Sequence, residues 1–289
     1  MLAATLALAP VALAAPAGLQ SQSRQIERYD RSTPAGRLMG FYSDAIAFSP
    51  VGAPRRYRAW AVEAGVEASY VPRLTAMQRR AGFDKPEATN LAPVFPRPRA
   101  MLALPGGVTL EGSWVPPVRV FDVTANLLSA AVAWRAGHLG PVELTPRLSA
   151  LTGRVRGAIT CNGATARRES NDLLVYYEAV CYGRDSDDHF SPRQLAGELM
   201  ATGNSGGAFV PYGGLGVRRE RARFDIGVIR PDGTRDPEHP MLLSSATRLY
   251  LTGGLTWLVG VRGVASGEVY YAPGSLITVR LAAGLRVKR

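Results

Sequence analysis

The C-terminal stretch LITVRLAAGLRVK, Leu276–Lys288, decides the fold. Ile277, Val279, Leu281, Ala283, Leu285 and Val287 fall on one face of an extended chain, and Thr278, Arg280, Ala282, Gly284, Arg286 and Lys288 on the other. Period two is the mark of a β-strand, because successive side chains of an extended backbone point to opposite faces. The run exceeds the ordinary globular strand of about five to six residues. It matches the roughly nine to eleven residues that cross a bilayer with one apolar face.

Working back from this strand, the alternation recurs. Ala59–Val71 puts Trp60, Val62, Ala64, Val66, Ala68 and Tyr70 on one face, and Glu63, Gly65, Glu67 and Ser69 on the other. Further candidates are Arg99–Leu104, Val108–Val115, Phe121–Trp134, Val142–Gly157, Leu195–Thr202, Phe209–Val217, Arg223–Ile229 and Ala246–Val259; Val264–Tyr271 would add one more. The 31 Gly and 21 Pro favour many turns over long helices. The set predicts an all-β fold, a single antiparallel up-and-down transmembrane β-barrel of about ten strands, with bounds of roughly 8–12 since strand ends read from sequence shift by a few residues.

Connection lengths agree with this. Pro72–Pro98, Ala158–Gln194 and Gly260–Ser275 are long, while the turns at Pro105, His138 and Gly203 are short. Outer-membrane barrels set long external loops against short periplasmic turns. Pro231–Ser245 breaks the pattern, being long where a short turn is expected. Trp60, Tyr70, Trp114, Trp134 and Trp257 lie near strand ends, as interfacial girdles do, although such residues also suit the core of a soluble β-sandwich.

Three segments are expected. Residues 1–14 read as a signal peptide, with Leu6–Leu13 apolar and Ala12-Leu13-Ala14 at the cleavage spacing. No positive n-region precedes them, so the true start is expected upstream. Residues 15–57 read as a periplasmic lead-in or plug, polar over Gln20–Arg37 and then apolar over LMGFYSDAIAFSPVGAP, Leu38–Pro54. Residues 58–289 form the barrel. No uncharged apolar run near about eighteen residues follows the N-terminus, so no membrane-spanning helix is expected. The two cysteines, Cys161 and Cys181, suit one disulfide closing a surface loop; zinc is disfavoured because no His or second Cys pair sits at ligand spacing. A net charge of +11 fits attraction to anionic lipid headgroups, a lumen favouring anions, or simply a solvated basic surface. Nucleic acid is not expected as a partner, because no basic helix or aromatic–basic motif is present.

From about Leu38 to Arg289 the pattern resembles Gram-negative outer-membrane β-barrels in architecture. Within it, SDAIAFSPVGAP, Ser43–Pro54, loosely resembles the segment before the first strand of outer-membrane long-chain fatty-acid transporters. That family carries an Asn-Pro-Ala-Gly run there; this chain has Ser49-Pro50-Val51-Gly52 and is short for the family's strand number. The insertion signal of such barrels usually ends in an aromatic residue, whereas this chain ends Lys288-Arg289. The resemblance implies outer-membrane lipids and the barrel assembly machinery as partners.

Alternation also names lumen-facing charges: Glu63, Glu67, Glu111, Arg147, Arg223, Asp225, Arg248, Arg280 and Arg286, with Glu143 and Glu198. Closure sets the first strand against the last, so Glu63 and Glu67 are expected beside Arg286 and Arg280. Two readings compete: a constriction that selects solutes by charge, or a structural network filling a closed barrel. The histidines, His138, His189 and His239, all fall in expected turns or loops; His189 follows Asp185, Asp187 and Asp188, a cluster suited to a base or a cation site or simply to a hydrophilic loop. The leading expectation is a porin-like or transport barrel for small solutes, with no catalysis, cofactor or metal. The alternatives are a structural or adhesive barrel with a disulfide-pinned external loop, and an outer-membrane hydrolase. No oligomeric state or substrate is implied.

Overall fold

The computed structural model describes residues 26–55, 57–74, 93–120, 123–169, 171–203 and 207–288. The signal-peptide reading of residues 1–14 lies outside them. In chain order the elements are β1 (Ile26–Tyr29), α1 (Pro34–Ala45), β2 (Val62–Tyr70), β3 (Val94–Ala103), β4 (Val108–Val115), β5 (Arg119–Val120), β6 (Val123–Trp134), β7 (Gly137–Leu139) and β8 (Val142–Gly157). Two short helices follow, α2 (Gly163–Glu169) and α3 (Asn171–Ala179), and then β9 (Asp188–Gly203), β10 (Phe209–Asp225), β11 (Met241–Val259), β12 (Gly263–Ala272) and β13 (Leu276–Lys288).

Ten of these strands close a ring in the order β2-β3-β4-β6-β8-β9-β10-β11-β12-β13, and every pairing between neighbours is antiparallel. The β2–β13 seam leaves no free edge between first and last strands, which is what lets a sheet sit in lipid with its backbone groups satisfied. The short β5 and β7 extend β6 and β8 as hairpins, and β1 pairs in parallel with the start of β11.

The expected strand number holds, but two boundaries move. Phe209–Asp225 is one strand, where the sequence suggested two separated by Arg218–Ala222. Val264–Tyr271 lies within β12, a full barrel strand. The first change has a plain cause. The run RRERARF, Arg218–Phe224, is charged on both faces, so the apolar alternation that signals a strand fades there. With the count corrected, the anomaly at Pro231–Ser245 disappears: residues 226–240 join β10 to β11 at the end bearing the long loops, and residues 260–262 form a short turn at the other.

The merge also reverses two assignments. Parity continues along β10 from the outward Leu215 and Val217, so Arg223 faces out and is 51% exposed, not in the lumen. Asp225 shares that parity and binds Arg223 at 3.0 Å. A second correction concerns β3. It begins at Val94, because Pro96 and Pro98 lie beyond the end of the β3–β4 ladder, which runs from Arg99 to Ala103, and so cost it no hydrogen bond on that side. Arg97 and Arg99 thereby point inward.

The wall is uneven. β8–β11 have 16, 16, 17 and 19 residues, against 9, 10, 8, 10 and 13 for β2, β3, β4, β12 and β13. Above the tall side, residues 158–187 form a cap closed by the Cys161–Cys181 disulfide, whose Cα atoms are 5.8 Å apart. Both cysteines are buried against Phe190, Phe224, Ile226 and Val228 at the barrel mouth. Asp188, fully buried, ties the cap down: its carboxylate accepts from the N–H groups of Ile159 (2.9 Å), Thr160 (2.5 Å) and Gly227 (2.7 Å) and from Ser186 Oγ (2.7 Å).

Candidate functional site

The lumen is filled by the chain that precedes the first barrel strand. Helix α1 starts at an N-cap Thr33, whose Oγ1 accepts from Gly36 N at 3.1 Å, with Pro34 at the first helical position. Leu38, Phe41 and Ala45 bury against Tyr250, Tyr270 and Leu276 of the wall. After Ala45 the chain leaves the helix and continues as an irregular strap, Ile46–Arg55, ending near the start of β2. The barrel strands already spend their backbone groups on one another, so the strap has no ladder to join. Buried backbone carbonyls and N–H groups need partners all the same, and inward side chains supply them.

Arginine suits this task because it is donor-only, with several N–H groups in a planar fork. Arg97 Nη2 donates to Ile46 O at 2.9 Å, Arg147 Nη1 to Pro50 O at 2.8 Å and Arg99 Nη1 to Val51 O at 2.6 Å. Arg280 reaches the carbonyls of Ala47 and Ser49 at 3.4 Å. Ser149 Oγ donates to Phe48 O at 3.1 Å, and Gln194 Nε2 to Ser43 O at 2.6 Å. The strap donates in turn: Gly52 N to Tyr212 Oη at 3.0 Å and Ala53 N to Thr256 Oγ1 at 2.8 Å. Gly52 has φ +120°, and a Cβ there would stand 3.0 Å from Ser266 Oγ.

Each arginine is neutralised. Arg147 meets Glu198 at 2.6 Å, where Ser49 Oγ also donates at 3.0 Å. Arg97 pairs with Glu67, and Arg280 with Glu268, both at 3.8 Å; Arg280 also lies 3.9 Å from the Tyr270 ring centroid. At the turn end Arg55 binds Glu63, and Arg99 lies 3.5 Å from the same carboxylate. Glu111 lines this end with Tyr57, in a cavity of about 30 Å³, room for about two waters by the usual measure.

The strongest cluster is on α1. Asp44, 0% exposed, binds both Arg218 and Arg248, while Arg248 Nε also reaches Glu220 at 2.8 Å. Arg248 can lie across the helix only because residue 40 is glycine: a Cβ there would fall 1.7 Å from its Nη2.

The seam expectation is half met by geometry and corrected in its partners. Glu63 and Arg286 are Cα partners across β2 and β13. Yet Glu63 is bound by Arg55 and Arg99, and Arg286 lies over the Tyr57 ring at 5.4 Å. Glu67 faces Arg97 on β3, and Arg280 faces Glu268 on β12. Asp44, Arg55, Arg97, Arg99, Arg218, Glu220 and Glu268 were not singled out from sequence. Arg218 and Glu220 follow from parity once β10 is one strand; Asp44 has no sequence signal, since its partners lie some two hundred residues on.

The acidic cluster before His189 does not converge. Asp188 binds the cap backbone. Asp185 accepts from Gly163 N at 2.8 Å and from Tyr177 Oη at 3.2 Å. Burial, then the Asp185 carboxylate, pushes the Tyr177 phenol up. Asp187 binds Arg156 and lies 3.8 Å from His189. His138 sits in β7 at the other end, and His239 lies 3.7 Å from Asp236 in the loop before β11. Among the described residues no group of three His, Cys, Asp or Glu is placed to hold a metal ion.

The exterior completes the picture. Ile277, Val279, Leu281, Leu285 and Val287 of β13 are exposed, as are Leu195, Leu199, Leu215, Val217, Leu249, Leu251 and Leu255 on the tall side. Such an apolar belt around a closed barrel with a polar interior inverts a soluble fold. Trp60, Trp134, Phe209 and Trp257 are exposed towards the turn end, with Phe209 and Trp257 stacked at 6.0 Å. Tyr70, Trp114 and Tyr271 are exposed towards the loop end. Closed ring, apolar belt and aromatic girdles define a β-barrel of the Gram-negative outer-membrane type.

Solved structures with similar folds are such barrels. The outer-membrane protein Ail of Yersinia pestis aligns over 78% of this chain and 99% of its own at 12% identity, TM-score 0.32. Neisserial surface protein A aligns over 80% and 97% at 11% identity, TM-score 0.29. The toluene transporter TodX of Pseudomonas putida aligns over 93% and 78% at 12% identity, TM-score 0.33. No protein-family profile and no curated protein matches the sequence. With likeness so distant, the class rests on the strand pairing and the exterior.

Proposed function

We propose that the protein is a plugged barrel of the Gram-negative outer membrane that displays its disulfide-closed cap to a partner, with no standing pore and no catalysis. The observation behind this is the filled lumen: Pro34–Arg55 runs through it, and its carbonyls from Ile46 to Val51 accept from Arg97, Arg99, Arg147 and Arg280. The long connections lie together at one end of the wall, which in this class is the external one. The inward charges act as clamps on the strap, not as a selectivity ring. The test is planar-bilayer recording of the full chain. Wild type is expected to insert without steady conductance; a stable open current in wild type would overturn the reading.

A second reading, solute transport past a plug that yields, draws on one feature. Asp44 is held by ion pairs with Arg218 and Arg248, contacts that can exchange between partners. On that reading Asp44→Asn raises solute entry in liposome-swelling assays; on the first, the barrel stays closed.

A further inference from the structure

Along the tall side the outward face changes character within a narrow band. On β6 it passes from Leu128 to Asn126, on β9 from Leu195 to Arg193, on β10 from Val217 to Arg219 and on β11 from Leu249 to Thr247. The change falls within one outward position from strand to strand: Arg193 is the Cα partner of Arg221 and of Thr152, while Arg219 is the partner of Leu195 and Thr152 of Leu128. Just above the apolar belt, β8–β10 therefore present six outward arginines, Arg154, Arg156, Arg193, Arg219, Arg221 and Arg223. Five of them, all but Arg219, line an open concavity of about 1590 Å³ that also contains Trp114.

Two of the six have acidic neighbours, Arg156 with Asp187 and Arg223 with Asp225. Arg154, Arg193, Arg219 and Arg221 make no ion pair among the described residues. Nothing in the packing of β8–β10 calls for a cationic face here, since these side chains point away from the barrel. Their height does call for an explanation. A groove at the rim of a lipid-facing belt is where headgroups stand, and arginine forks match phosphate oxygens in pairs.

We propose that the outer face of β8–β10 binds the phosphate groups of a phosphorylated lipid in the leaflet at the loop end of the barrel. The acyl chains lie on the belt formed by Leu148, Leu195, Val217 and Leu249, and the phosphates lie in the arginine groove. The inference rests on the membrane-spanning reading.

The test uses the full chain in dodecyl maltoside micelles, with Trp60, Trp134 and Trp257 changed to Phe so that Trp114 reports. Bisphosphorylated lipid A, its dephosphorylated form and inositol hexakisphosphate are titrated separately. Lipid A is expected to change Trp114 emission saturably, with binding weakened by salt. The dephosphorylated lipid, and lipid A on the R154Q/R193Q/R219Q/R221Q variant, are expected to bind roughly tenfold more weakly or worse, as lost charge-assisted contacts imply. Heat-modifiable migration checks that the variant is folded; if it is not, the pairs R154Q/R193Q and R219Q/R221Q replace it, and the comparison of lipids on the unmutated arginines stands regardless. Equal binding of the dephosphorylated lipid, or by the folded arginine variants, overturns the proposal. Inositol hexakisphosphate binding as tightly as lipid A would make the groove a dock for soluble polyanions instead. Failure to insert into phosphatidylcholine vesicles would count against the membrane reading; insertion without phosphate discrimination would count against this inference alone.

Discussion

Arg218 and Arg219 are neighbours on β10, yet one is sealed in the lumen and the other faces outward. Arg218 is 2% exposed, bound to Asp44 and close to Tyr250 and Tyr270. Arg219 shares a level with Leu195 and Thr247 and has no ion-pair partner among the described residues. One step along the chain turns a clamp on the plug into part of the outer cationic face. The lesson is that residue type alone assigns no role in a barrel wall. Parity assigns the face, and height relative to the apolar belt assigns the surroundings.

The sharpest way to break this contrast is to remove an inner partner. Asp44→Ala leaves Glu220 as the one carboxylate against the two buried guanidinium groups of Arg218 and Arg248, and breaking a buried pair in this way costs about 3–5 kcal/mol. The expected result is a large drop in the urea midpoint of refolded protein in micelles; an unchanged midpoint would show that the helix is not held by this cluster. Moving a cation into the belt tests the outer half. Leu281 is 58% exposed near the middle of β13, and Leu281→Arg is expected to cost about 2–4 kcal/mol in folding into bilayers. Equal folding yields would place this face outside the lipid.

Gly40→Ala probes the inner contact more gently. The new methyl group meets the Arg248 guanidinium, and overpacking of this kind costs about 1–3 kcal/mol. A double-mutant cycle with Arg248→Met is expected to show coupling, and additive losses would remove the contact from the account. The smallest effect belongs to Arg219→Gln, expected to shift stability by less than about 0.5 kcal/mol, as an exposed site does. A large loss there would mean that the outer arginines hold up the wall.

Much of the barrel could be read from the chain because lipid imposes a regular demand. β13 and β2 alternate cleanly, with Leu281 and Val66 out and Arg280 and Glu67 in. The reading failed where that demand lapses. Above the belt the outer face of β10 need not be apolar, so Arg218–Ala222 read as a loop between two strands, and Arg223 was placed on the wrong side. Pro96 and Pro98 hid Arg97 for a different reason: proline argues against a strand unless one knows where the neighbouring ladder ends. The plug cluster was least legible. Asp44 meets Arg218 and Arg248 only through tertiary folding, and no local period announces such a meeting.

The strap also constrains the order of assembly. Its chain pairs with the start of β11 at the loop end through Ile26–Tyr29, threads the lumen as Pro34–Arg55, and leaves at the turn end to become β2. A barrel closed first would have to admit that thread lengthwise, past interlocked arginines and through a bore with little free space. Wrapping avoids the problem. If the strands gather around the seated segment and the β2–β13 seam zips last, the plug serves as the mandrel on which the wall is rolled.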